Sequence, residues 1–124
     1  MTDSAFAFTP IRESVLAAAN GIAEAAPEMA LAATRDATAA LEFHLDTLAK
    51  ELRDDIEPRL LERARAVEAK LRAVLVDCWA LERDLRDGPV TYLRQREVAD
   101  KVRDAGDEEI DLVFEELREA GALD

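Results

Sequence analysis

The stretch PRLLERARAVEAKLRAVLVDCWALERDLRD, residues 58–87, carries the strongest pattern in the chain. Leu60, Ala64, Val67, Leu71, Val74, Cys78, Leu81 and Leu85 alternate steps of four and three without a break, an apolar seam sustained for about four heptads. Glu68 with Arg72, and Glu82 with Arg86, stand at i,i+4 and support the same helix from outside. Between Ala73 and Leu81 only Asp77 is polar, so this helix is expected to be the central one, buried from several directions. Trp79 falls outside the seam and reads as a core anchor against a second neighbour or as part of an exposed contact patch. Asp77 is expected either to meet an arginine from another helix or to stand as a functional acid, because no cation lies at i±3 or i±4.

Working outward, Pro58 either kinks one long helix or separates two. An interior proline costs about 3 kcal/mol, and Asp54, Asp55 and Glu57 are suitable caps for a fresh start, so a hairpin is expected. Before it, residues 28–57 contain no Gly, Pro or Asn, and Leu31, Leu41, Leu45, Leu48, Leu52 and Ile56 recur at three and four where they are dense, giving a helix of about 30 residues. Earlier still, Thr9-Pro10 and Asn20-Gly21 bracket a short helix over 10–20. After Gly88-Pro89 a weaker helix places Leu93, Val98 and Val102 on one side and runs to Gly106. Asp107 caps a last helix in which Ile110, Val113, Phe114 and Leu117 share a face, with Gly121 as its stop.

The composition agrees with this reading. Apolar residues make up 49% of the 124, aromatics only 5%, so the apolar surface is Ala, Leu and Val, the residues of helix packing. The expected fold is an all-α bundle, one domain over residues 1–124, built on a long antiparallel hairpin (28–57 and 58–87) with short flanking helices and a flexible segment at 1–9. Two long stripes look too much for short flanking helices to cover. A homodimer is therefore expected, two hairpins forming one four-helix arrangement through Leu60, Val67, Leu71, Val74, Leu81, Leu85 and Trp79.

The formal charge is −12, from 28 acidic and 16 basic side chains. That sign opposes nucleic acid and anionic membranes, and no window of twenty residues is free enough of charge to span a bilayer. A faint helix-turn-helix rhythm in 97–123 fails for the same reason, since its second helix is acidic. The charge is uneven: residues 1–57 sum to −7, 58–87 to +1 and 88–124 to −6. Asp111, Glu115 and Glu119 repeat down one side with no cation between them, a face that would suit a basic protein partner, as in an adaptor, immunity protein or antitoxin. One cysteine and an acidic N-terminal stretch lacking an apolar run suggest the cytoplasm.

Catalytic chemistry finds few footholds. His44 is the only histidine, so a histidine-rich metal centre cannot be built within one chain, and it is expected at the surface or an interface. Cys78 lies in the seam, where a thiol is inert. Ser4 and Ser14 are the only serines and neither sits in a nucleophile motif. No phosphate-binding glycine loop exists. The expectation is a non-enzymatic interaction module with no catalytic residue, cofactor or metal. The alternative is a carboxylate-based metal-dependent hydrolase drawing on Glu51 and Asp54 with Glu115, Glu116 and Glu119.

Overall fold

Glu57 accepts hydrogen bonds from the backbone N–H groups of Arg59 and Leu60, each at 3.1 Å, so the central helix begins at its proline. The computed structural model describes residues 11–52 and 55–120. In it α1 spans Ile11–Glu24, α2 Ala30–Glu51, α3 Pro58–Asp87, α4 Tyr92–Ala105 and α5 Glu108–Glu119, with one 3₁₀ turn at Pro27–Met29 and no strand among the described residues. The seam helix therefore has the expected bounds, and the break at 52–57 makes a hairpin rather than a kink: α2 and α3 pack side by side in opposite directions, with Arg35 near the start of one bridged to Glu82 near the end of the other at 3.5 Å.

Four helices close a ring. α1 packs on α2 and α4, and α3 packs on α2 and α4. Bonds between α3 and α4 pair early with late residues, Asp84 with Arg94 at 3.2 Å and Asp77 with Lys101 at 4.0 Å, so the chain runs up, down, up, down. α5 then lies against α3 and α1. One chain thus supplies all four helices. This corrects the expectation that the long stripes need a second copy: Leu60, Val67, Leu71, Val74 and Leu81 are buried against the chain's own helices, and Leu85 is half-buried. What the sequence reading underestimated is the cover that α1 and α4 provide through Val15, Ala19, Ile22, Val98, Ala99 and Val102, all fully buried.

Three element boundaries also differ. α1 does not stop at Asn20-Gly21 but continues to Glu24. Ile22, just past the expected end, is fully buried, and Gln95, itself buried on α4, donates from Nε2 to the Ile22 and Ala25 carbonyls at 2.7 and 2.9 Å. Burial plus satisfied terminal carbonyls outweigh the roughly 1 kcal/mol that a mid-helix glycine costs. α2 is shorter than the expected 28–57, because Pro27–Met29 form a tighter turn and Leu52 turns extended at ψ 123°. Leu93 does not join the buried side of α4; it is 78% exposed. The expected cap of α5 is present, with Asp107 accepting from the Glu109 N–H at 3.1 Å, and Ile110, Val113, Phe114 and Leu117 are all buried. The expected flexible segment at 1–9, the start at Pro10 and the stop at Gly121 lie outside the described residues.

Arginine bridges attach α5. Arg63 on α3 reaches Glu109 and Glu116, each at 2.9 Å, and Lys70 pairs with Asp107. Hydrogen bonding from Arg63 holds the Glu109 carboxyl below its ordinary range. From the other side the Arg12 backbone N–H, an unpaired donor at the start of α1, is accepted by Asp111 at 3.0 Å. Gly106 lets the α4–α5 turn approach α1, since a Cβ there would meet Leu16 and Val15 side-chain atoms at 3.1 Å.

Candidate interaction site

The helix expected to be buried on several sides is open on one. Outward along α3 stand Ala66, Ala69, Ala73 and Val76, all exposed, at the same steps of three and four as the buried seam. Val76 is 52% exposed and Trp79 47%. The small side chains explain the misreading: alanines lengthen an apolar run on paper while demanding no cover, so an apolar circumference does not establish burial. Trp79 is held in place rather than loose. Its indole N–H donates to Glu42 Oε2 on α2 at 3.2 Å, which lays the ring across the hairpin. The next residue of α2, Phe43, is 66% exposed. Of the two readings offered for Trp79, the core anchor does not hold, because about half of the side chain is exposed.

Cations border this face. Arg65 and Arg83 are exposed and have no partner among the described residues, while Arg72 is paired only with Glu68 at 3.3 Å across exposed surface. Arg86 and Glu82 form the second expected i,i+4 pair at 3.7 Å. Around Val76 and Trp79 the apolar strip is thus bordered by arginines, with exposed Glu62 and Asp87 towards its two ends. Its signal in the sequence is a second series of three- and four-residue steps, Ala66, Ala69, Ala73 and Val76.

The acidic face lies elsewhere, on α5. Glu108, Glu115 and Glu119 point outward around Leu112, which is 49% exposed. Asp111 is half-buried and already engaged by the Arg12 backbone. Arg12, Glu108, Asp111, Leu112 and Glu115 line a hollow of about 340 Å³ between α1 and α5.

The remaining candidates resolve into structural roles. Asp77 sits at the rim, with its side chain 36% exposed and Lys101 of α4 as its cation; the arginine expected there is a lysine. Cys78 is fully buried, and burial pushes its thiol up to about 12. His44 is not at the surface: it is 7% exposed, burial lowers its pKa, and its Nε2 lies 2.8 Å from the Ser14 hydroxyl of α1. That distance suits a nucleophile and its base, and Ser14 stands in the first turn of α1. His44 Nδ1 is buried without a hydrogen-bond partner among the described residues, so no carboxylate orients the ring. The pair ties α1 to α2.

For the hydrolase alternative, Glu116 is spent on Arg63 and no group of three or more potential ligands is placed to hold a metal among the described residues. Asp54 and the Glu51 side chain lie outside them. No helix among the described residues is long and apolar enough to cross a membrane. The described helices form a closed antiparallel four-helix bundle with a fifth helix across one flank. Compared with family models, with curated proteins and with solved structures, the chain finds no match.

Proposed function

We propose that the protein is a non-enzymatic helical interaction module that engages protein partners through the outward side of the α2–α3 hairpin. The observation that carries this reading is Trp79, 47% exposed and pinned by Glu42 beside Val76, on a bundle whose core is already complete without it. A large aromatic held rigid at a surface loses little freedom on binding and is the residue type most enriched where interfaces concentrate their energy. The heptad seam expected to mediate self-association is occupied inside the bundle, so the contact moves to the opposite side of the same helix. With Asp111 engaged by the Arg12 backbone, the α5 face left to complement a basic protein patch is that of Glu108, Glu115 and Glu119.

The test compares partner capture from the native host by the wild-type chain and by Val76→Glu, with thermal unfolding as the control for folding. Val76 is half exposed, so the variant is expected to fold normally and to lose the proteins that wild type retains. Identical capture by the two chains rules this face out.

A further inference from the structure

We infer that a second copy of this chain is the partner of the α3 strip, and that it docks by its α5 face; the inference rests on the interaction reading above. Each copy carries one exposed basic apolar surface and one exposed acidic apolar surface on different helices, and the two match in spacing as well as in sign. Glu108 and Glu119 are eleven residues apart on α5, about 16 Å along a helix. Arg72 and Arg83 are eleven residues apart on α3, the same distance. Laid antiparallel with Glu108 opposite Arg83 and Glu119 opposite Arg72, α5 puts Leu112 opposite Trp79. Laid parallel, it puts Leu112 within reach of Val76. Either way the exposed leucine lands on the exposed apolar pair while the outer glutamates meet arginines.

Net charge opposes any self-contact in a chain at −12. At about 0.15 M salt the Debye length is about 8 Å, however, so the charges of the docked faces count for more than those across the molecule. Because the two surfaces differ, the contact is head-to-tail: a docked copy still presents its own free strip and its own free α5, and the association propagates rather than stopping at two.

This asymmetry makes the proposal testable by complementation. Val76→Glu blocks the strip, and Leu112→Lys blocks the α5 face; both positions are about half exposed, so both variants are expected to fold. Sedimentation velocity at concentrations up to about 1 mM is expected to show wild type growing past dimer with concentration, each variant alone remaining monomeric, and an equimolar mixture of the two forming a heterodimer that grows no further. Emission from Trp79, the chain's one tryptophan, is expected to shift to the blue in that mixture. Raising salt from about 0.15 to 0.5 M is expected to weaken the heterodimer severalfold. Wild type that stays monomeric throughout overturns self-docking, as does a mixture that does not associate. Self-association retained by Leu112→Lys and lost by Val76→Glu overturns the α5 assignment in favour of two strips meeting face to face. In each case partner capture lost by Val76→Glu leaves the interaction reading standing, so the two failures are distinguishable.

Discussion

Helix α3 carries the same spacing twice. On its inner side Leu60, Ala64, Val67, Leu71, Val74, Cys78 and Leu81 are all buried; on its outer side Ala66, Ala69, Ala73 and Val76, set at the same steps, are all exposed. Periodicity is therefore not what separates core from surface here. Side-chain volume is: the inner series holds three leucines, the outer one none, and a leucine left in water forfeits about 2 kcal/mol that an alanine never had to gain. The outer series keeps its helical register without needing a neighbour.

The sharpest way to break this comparison is to exchange equivalent cuts on the two sides. Leu71→Ala removes a fully buried side chain in the middle of the inner seam and is expected to cost about 3 kcal/mol in urea unfolding. Val76→Ala, about one turn away on the outer side, is expected to stay within about 0.5 kcal/mol of wild type. Equal effects would mean that the outward face is covered in solution. Cys78→Ser asks a finer question of the inner side, because it changes polarity with little change of shape. A hydroxyl in that fully buried position is expected to cost about 1–2 kcal/mol, less than Leu71→Ala because a helical serine can return its proton to the carbonyl one turn back.

A third measurement addresses the inner wall through pH. His44 is buried with its pKa below the ordinary value, so in the folded chain it stays neutral where the unfolded chain, near 6.5, already takes up a proton. Its neutral form thus adds stability in full above about pH 6.5, and that contribution shrinks as pH falls towards the lower folded-state value. Urea unfolding of wild type and His44→Gln between about pH 8 and 5 is expected to show the loss in wild type and a smaller slope in the variant. Parallel pH profiles would place the ring in contact with water.

How much of this was legible in the chain follows from where the deciding physics sits. The bounds of α3 and the cap of α5 are local: Glu57, Pro58, Gly88 and Asp107 act on their own backbone and can be read directly. The hairpin is nearly so, because the proline penalty acts at one residue. The identity of the helices that complete the bundle is not local. It depends on short stripes such as Val15, Ala19 and Ile22, and on a buried glutamine whose two bonds reach α1 from about seventy residues away, neither of which resembles a core on paper. The candidate site was legible only in part for the same reason. Trp79 and the acidic α5 residues could be named, but whether Trp79 faced inward depended on helices elsewhere, and the pairing of Ser14 with His44 joins residues whose neighbours give no hint of each other.

Gly21 provides the smallest effect and the one of opposite sign. It lies inside α1, on the exposed side, where an added Cβ would meet nothing within 4 Å. Were the Asn20-Gly21 pair a real helix stop, alanine there would strain the backbone and destabilise the protein. Because the helix continues to Glu24 under the hold of Ile22 and Gln95, Gly21→Ala has only the glycine's conformational freedom to remove. It is expected to stabilise the chain by about 0.5–1 kcal/mol and to raise the unfolding temperature accordingly. The inner wall of this bundle responds to every lost methylene, whereas its outer surface responds mainly to backbone propensity; a destabilised Gly21→Ala would erase that distinction for α1 and restore the shorter helix that the sequence suggests.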